Sequence, residues 1–458
     1  MTTISLIAII IAIALLIYLA YKGWSIIAIA PLLAIVAAIG CGQDLFKDVL
    51  GNVYFFKAGH YIGEWFAVFL FGAIFAKLME EGGLAASIAN KIADVLGADK
   101  AILAVILGCA VLTYGGLSVF VVAFVMYPFG AVLFRKAGIP KRLLPAALWM
   151  GIFSFTMVAL PGTPQTQNII PTRYFGTSTW SGVGIGLFAT VLYLAIALIW
   201  IGFRAKQAKK NGEGYGEHSE EGNLDIDSSL LPNFWLSLIP LVLVIVINIF
   251  GSNPFNWAFI PWKIESKWAI AMATVVASVA TIIIGHKNIL PKDNGIKKLS
   301  TIVRGSAVSS GTAIFNVASG YAFGCVVTSV IGFEVIAQAL TKLSASGNPL
   351  WSAVVTTNIM GGITGSASSG MTIALDKFGE MWKEMAITSG ISLDALHRIV
   401  AVSAIGLDPV PHCGALVTMF GICKLTHKES YFDLIMLMIF KFFVPYLCVI
   451  WYLVTGIA

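Results

Sequence analysis

Apolar runs of seventeen residues or more recur along this chain with almost no charge inside them. Residues 4–20, 181–202 and 233–251 contain no charged side chain at all. About 20 apolar residues in a helix are what crosses a hydrocarbon core, and at that depth every backbone N–H and C=O must be satisfied within the protein. The chain is therefore expected to be an all-α integral membrane protein, seated in a cell membrane. Composition agrees, since 58% of the 458 residues are apolar and only 11% are charged. A soluble chain of this length could not hide that much apolar surface in one core. The net charge of +6 then reads as a signal for orientation in the membrane, and no nucleic-acid partner is expected. The six cysteines are Cys41, Cys109, Cys325, Cys413, Cys423 and Cys448. They are scattered without CxxC or metal-ligand spacing, so neither a disulfide frame nor a metal site is read from them. The first apolar run begins at Ile4 with no basic residue before it and reads as a retained span rather than a secretory leader.

Ten crossings are read, near 4–20, 23–40, 63–79, 143–160, 181–202, 233–251, 267–284, 305–330, 397–423 and 430–452. Two further segments, 101–134 and 350–376, do not fit simple spans and carry Gly115-Gly116 and Gly361-Gly362 in their middles. Backbone that leaves the helix at membrane depth is tolerated only where protein or a water-filled cavity surrounds it. Both segments therefore read as re-entrant helical hairpins. With this layout 19 of the 29 basic residues fall on one side, which the positive-inside rule makes cytoplasmic. Loop 251–268 lies opposite and carries Trp257, Trp262 and Trp268, as an interfacial belt does.

The order of elements then repeats. Residues 1–202 give three spans, a hairpin and two spans; 232–458 give the same series in the opposite orientation; 203–231 is a cytoplasmic linker. The breaks match in spacing, with Gly115 lying 46 residues before Pro161 and Gly361 lying 48 before Pro409. Inverted repeats with discontinuous helices mark secondary transporters, whose site lies near the midplane where the repeats meet.

Four interrupted stretches carry the candidate site. They are Tyr114 to Ser118, Pro161 to Asn168, Gly361 to Gly370 and Asp408 to Gly414. Glycine lets backbone approach a ligand, and proline frees a carbonyl by withholding its own N–H. Exposed N–H groups at half-helix N-termini favour anions. Hydroxyls and amides add directed hydrogen bonds without a buried formal charge. Gly115, Gly116, Ser118, Thr163, Gln165, Thr166, Asn168, Thr364, Gly365, Ser366 and Ser368 are accordingly the candidates for holding a small polar anion. Asp408 and His412 lie in the last break, where an ionisable group is a functional hypothesis by default, and are the candidates for ion coupling. Asp408 also reads as a helix cap, and His412 as a neutral ring satisfied by a carbonyl. Glu64 reads as interfacial and Lys441 as snorkelling or paired.

These stretches resemble the gluconate permease family within the wider ion-transporter superfamily. The likeness is carried by Gly115-Gly116-Leu117-Ser118-Val119-Phe120, Leu160-Pro161-Gly162-Thr163-Pro164, Thr364 to Gly370 and Pro411-His412-Cys413-Gly414-Ala415-Leu416-Val417-Thr418. Leu425 to Tyr431 is similar to the 3-hydroxybutyrate permease branch. The resemblance implies a proton-linked importer of gluconate or a related hydroxy acid, built as two hairpins on a scaffold. The run at Pro161 lacks the histidine that the gluconate branch tends to carry, and Cys413 stands where the hydroxybutyrate branch usually has asparagine.

The leading expectation is thus a symporter for a hydroxy-monocarboxylate. Its partners are the substrate, a proton (or sodium), the lipid bilayer and, as a candidate, a second copy of the chain. No cofactor is expected. The alternatives are a sodium-coupled carboxylate transporter and an anion channel, which would need a continuous pore. No zinc-protease, nucleophile or phosphate-loop motif points to an enzyme or an ATP-driven pump.

Overall fold

The structure, a computed structural model, describes residues 2–22, 24–117, 119–218, 231–253, 257, 259–344 and 348–458. The described residues are helical, with no strand among them. The helices of the N-terminal part are α1 (Thr2–Tyr21), α2 (Ile26–Ala37), α3 (Phe56–Glu81), α4 (Leu84–Leu96), α5 (Ala101–Tyr114), α6 (Val119–Ala137), α7 (Leu144–Ile152), α8 (Phe155–Val158), α9 (Thr166–Phe175) and α10 (Val183–Lys210). The C-terminal part has α11 (Phe234–Ser252), α12 (Ser266–Ile284), α13 (His286–Ile289), α14 (Gly295–Ser329), α15 (Phe333–Ser344), α16 (Pro349–Thr364), α17 (Ala367–Thr388), α18 (Leu393–Ser403), α19 (Gly414–Cys423) and α20 (His427–Thr455). A π-helical stretch, Leu45–Phe55, runs directly into α3 and is started by Asp44, whose carboxylate accepts from the N–H groups of Phe46 and Lys47.

Among the described residues seven helices are long and apolar enough to cross a membrane. They cover seven of the ten crossings expected from the sequence. The other three are not single straight helices. Span 23–40 contains only the 12-residue α2. Span 143–160 is divided between α7 and α8, and 397–423 between α18 and α19. Hydropathy does not mark the first two interruptions, whereas the third carries Asp408, Pro409, Pro411 and His412, and span 397–423 reads from the sequence as polar or broken. An eighth candidate is α4 with Ala98–Tyr114, bent by 100° between them.

Both expected hairpins are present, α5 with α6 and α16 with α17. The first turns at Gly115 and Gly116, the latter at φ +93°, under Leu241 and Val244 of α11. The second does not turn where its glycine pair stands. Gly361 and Gly362 lie inside α16, and the turn comes at Gly365, φ +59°. A methyl group on Gly370 would overlap the backbone of Gly361, so the missing Cβ of Gly370 allows the close approach of the two arms, while side chains at Gly361 and Gly362 would meet Ala404 and Leu407. The second arm also runs twelve residues beyond the expected end at 376, because Asp376, Lys377, Glu380, Lys383 and Glu384 ended the apolar run but not the helix.

The packing of the two parts follows one pattern under exchange. α1 packs on α2 as α11 packs on α12, and α2 meets α14 as α12 meets α3. α4 touches α11 as α15 touches α1, while α9 lies on α17 as α19 lies on α6. α3 and α14, the third long helix of each part, lie against each other, as do α10 and α20. The outward faces are apolar, including Ile4, Ile7 and Ile10 on α1 and Trp235, Leu236 and Val242 on α11, as lipid requires.

Three basic-rich stretches meet at one end. Arg142 clasps Glu213 through Nε and Nη2 at 2.6 and 2.9 Å and reaches Asp433 at 3.1 Å. Arg204 binds the same Asp433 at 2.7 Å, and the Lys141 N–H donates to the Tyr215 carbonyl.

Candidate functional site

The first break opens after Val158 and closes at Thr166. Gly162 adopts φ +78°, and the Trp180 ring occupies the space where its side chain would stand. The Thr163 hydroxyl donates to the Thr156 carbonyl at 2.6 Å. Two bonds fasten the break to the first hairpin turn. The Gln165 amide donates to the Thr113 carbonyl at 2.8 Å, and the Tyr114 hydroxyl donates to the Pro161 carbonyl at 2.8 Å. Each satisfies a carbonyl that a helix end or a proline leaves open. Thr166 begins α9, is half-buried and donates to Gln167 Oε1 at 3.0 Å. No side chain caps the α9 N-terminus.

Asn168 is fully buried and heavily engaged. Its amide donates to the carbonyls of Thr163 and Thr179, both at 2.9 Å. Its Oδ1 accepts from Arg398 at 2.8 Å. Arg398, at the start of the expected span 397–423, is 0% exposed. Its remaining donors go to the Ser181, Val158 and Thr179 carbonyls at 2.6–3.1 Å. A guanidinium here satisfies carbonyls from the first break and the α9–α10 loop together. The sequence signal was available, because Arg398 sits in the otherwise apolar run Leu396 to Val402 with only His397 beside it.

The second break docks on the second hairpin in the same manner. The Thr364 hydroxyl bonds to the Met360 and Ser366 carbonyls at 2.9 and 3.0 Å. Ser366 caps α17 by accepting from the Ser369 N–H and lies 3.4 Å from the Ser368 hydroxyl. The Ser369 hydroxyl reaches across to Val317 of α14 at 3.0 Å. In the break, Asp408 pairs with Lys441 of α20 at 2.9 Å, both buried, and the Lys441 ammonium lies 6.0 Å from the centre of the Trp149 ring. The His412 ring lies against Gly365. Its Nε2 is 3.3 Å from the Ile363 carbonyl, and its Nδ1 is buried without a hydrogen-bond partner.

A cavity of about 210 Å³ opens beside this junction, lined by Trp24, Ser25, Asn316, His412, Gly414 and neighbouring apolar side chains. A larger one of about 370 Å³ lies at the α9–α10 loop with Lys263 and Asp394; none of the expected binding or coupling residues lines it. Each hairpin turn is therefore joined to the break of its own half: Tyr114 and Thr113 to Pro161 and Gln165, Gly365 and Ile363 to His412. Gly115 and Gly116 face α11 instead of the hydroxyl-bearing residues, and Ser118 lies outside the described residues. Elsewhere Glu64 pairs with Lys267 and, at 3.3 Å, with Arg173, while Asp376 accepts from Tyr174 and, at 2.6 Å, from Tyr321.

Hairpins that turn back within a bundle of apolar helices, each fastened to a helix interrupted at Pro, define a multi-pass membrane transporter, not an enzyme. The comparisons give the particular family. Residues 1–292 match the family model CitMHS, citrate transporter. The chain is 34% identical over 480 residues to YxjC of Bacillus subtilis (strain 168), described as an uncharacterized transporter, covering 99% of this chain and 100% of that protein. The fold is similar to the crystal structure of the YdaH transporter of Alcanivorax borkumensis, described as having an unusual topology. The TM-score is 0.56 and the identity 13%, over 99% of both chains. The chain belongs to the CitMHS citrate transporter family, and its place is a cell membrane. The comparisons show the transporter family and do not single out the gluconate permease branch that the motifs resemble. Those motifs are short and made of Gly, Pro, Ser and Thr, which any interrupted membrane helix uses.

Proposed function

We propose that this protein is a secondary active transporter that imports a small hydroxycarboxylate together with protons. The observation that carries this reading is the junction of the second hairpin and the second break. There a cavity is lined by neutral hydrogen-bonding groups and a histidine, with no Lys, Arg, Asp or Glu among its lining residues. Such a site suits a ligand of low net charge bearing hydroxyls, and a hydroxy-monocarboxylate such as gluconate or 3-hydroxybutyrate fits that description. The family description favours citrate as the second reading. Citrate shares the carboxylate and the hydroxyl and differs in charge.

In this reading Ser25, Asn316, His412 and Gly414 line the substrate cavity, and Thr166, Ser366 and Ser368 with the first N–H groups of α9 and α17 are candidate contacts outside that lining. Gly115, Gly116 and Gly365 shape the turns that admit it, and Ser118 remains a candidate substrate contact. Thr163, Gln165, Asn168 and Thr364 hold the breaks open through the bonds described above. Asp408 or His412 carries the coupled proton, and sodium is the alternative ion, since freed carbonyls suit hard cations. Residues 1–202 and 232–458 act as oppositely oriented halves joined by the cytoplasmic linker 203–231.

The test is uptake by the purified protein in proteoliposomes over a panel of gluconate, 3-hydroxybutyrate and citrate. Saturable uptake that a protonophore abolishes supports a proton-coupled carrier. Flux that does not saturate and ignores the protonophore supports a channel and overturns the proposal. Ser366→Ala should raise the half-saturation about tenfold, as loss of one hydrogen bond to a charged group does.

A further inference from the structure

We propose that the cavity beside His412 is a hydroxycarboxylate subsite in which the N-terminus of α19 takes the carboxylate and the imidazole reads the hydroxyl. The proposal rests on the transport reading above and assigns groups that the reading leaves unassigned. α19 is ten residues long, and its N-cap Cys413 makes no side-chain hydrogen bond to it. The first turn of a helix leaves N–H groups without carbonyl partners, and these favour an anion. Gly414, at that turn, lines the cavity and has only the tip of Ile26 near it, 3.8 Å from where a side chain would start. The space beside Gly414 is thus open toward the cavity.

The second observation is independent of the helix end. His412 is 0% exposed and lines the same cavity. Its Nε2 faces the Ile363 carbonyl at 3.3 Å. A carbonyl only accepts, so Nε2 carries the ring proton and Nδ1 presents a lone pair. That Nδ1 has no partner. A carboxylate has no proton to give it, whereas a hydroxyl does. Gly365 keeps the ring in this place, since a side chain there would start 2.6 Å from Cδ2. Ser25 and Asn316 complete the lining with neutral groups that can donate or accept. One anion-binding helix end and one fixed acceptor together select a hydroxy acid over the same acid without its hydroxyl. A neutral His412 in that role leaves the coupled proton to Asp408.

The experiment measures half-saturation for matched pairs in proteoliposomes, 3-hydroxybutyrate against butyrate and citrate against tricarballylate. The native chain should prefer the hydroxy member tenfold or more, because a site built around a hydroxyl rejects the analogue that lacks it. His412→Phe should erase that preference, and His412→Gln, whose amide oxygen still accepts, should keep most of it. Cys413→Asp places the protein's own carboxylate at the α19 N-terminus and should weaken both members of a pair alike, by about tenfold or more. A hydroxyl preference unchanged in His412→Phe, or half-saturation unchanged in Cys413→Asp, overturns the subsite. A direct readout covers variants that fail to fold. Gly414→Cys, with the native cysteines replaced by alanine, is alkylated by an impermeant maleimide in inside-out vesicles. Protection by 3-hydroxybutyrate but not by butyrate is expected, and equal labelling with both overturns the proposal. Protection without uptake of any acid would sink the transport reading alone, and uptake without protection would sink the subsite alone.

Discussion

Arg398 shows what a single buried cation does in this chain. Four carbonyl and amide oxygens from Val158, Asn168, Thr179 and Ser181 depend on it. Replacing it with methionine leaves the Val158 and Ser181 carbonyls without that donor, while the Thr179 carbonyl keeps the Gly162 N–H and the Asn168 amide, at a cost on the order of 2–6 kcal/mol. Arg398→Met should therefore aggregate at a clearly lower temperature in detergent, with Arg398→Lys between it and the native chain. Asn168 was legible as a polar residue that could not be idle in lipid. What it does was not legible, because its partner lies 230 residues away in sequence. Asp408 is similar. It reads alone as a cap or a proton carrier, and only the fold brings Lys441 to it. Breaking a buried ion pair from one side leaves an uncompensated charge, whereas removing both charges is often nearly neutral. Asp408→Asn should thus lower the yield of folded protein, and the double variant Asp408→Asn with Lys441→Met should restore it. If the double variant folds and still accumulates substrate under a pH gradient, Asp408 has no part in coupling. Outside the spans, the Arg142 hydrogen bond holds the Glu213 carboxyl below its ordinary value. The clasp of the linker is accordingly complete at neutral pH and is lost only as pH falls through that lowered value.

At the scale of elements, the two hairpins were legible from length and glycine, and their turns only partly so. The first turn falls where Gly115-Gly116 predicts it. The second falls four residues later than its glycine pair, at Gly365. Sequence cannot separate a glycine needed for positive φ from one needed for close packing, since both needs are met by the missing Cβ. The two uses give different expectations. Gly370→Ala forces the arms of the hairpin apart and Gly361→Ala presses on the Ala404 carbonyl, and each should cost about 1–3 kcal/mol, the range for overpacking a close contact. Gly365→Ala adds backbone strain and pushes on His412. It should lose the preference for hydroxy over deoxy acids more than it loses folded protein, measured as the ratio of half-saturations in the matched pairs. The broken helices were legible as breaks because Pro161, Pro164, Pro409 and Pro411 cannot continue a helix. Their attachment to the hairpin turns was not, because it depends on Tyr114, Gln165 and His412 meeting partners about fifty residues distant.

For the whole molecule, the packing of helices exchanges between the two parts, as the proposed inverted halves require. A helix pair in one half finds its counterpart in the other, and α3 against α14 and α10 against α20 lie where the halves meet. The clasp of Arg142, Arg204, Glu213 and Asp433 gathers at one end the loops that the basic-residue count places in the cytoplasm. Single-cysteine labelling in intact cells checks this: a cysteine at Gly212 should be shielded from an impermeant reagent, and one at Lys263 should react. Glu64 with Arg173, and Tyr321 with Asp376, tie α9 and α17 to α3 and α14, so carriers that alternate must break these bonds during the cycle. The central claim is that this machinery moves a hydroxycarboxylate uphill with protons. Its most direct test is accumulation of labelled 3-hydroxybutyrate, gluconate or citrate in proteoliposomes with an alkaline interior and no sodium. The account predicts an internal concentration of at least one of them above the external one, collapsing when the pH gradient is discharged. Flux that only equilibrates, or accumulation that requires a sodium gradient and ignores pH, would contradict it.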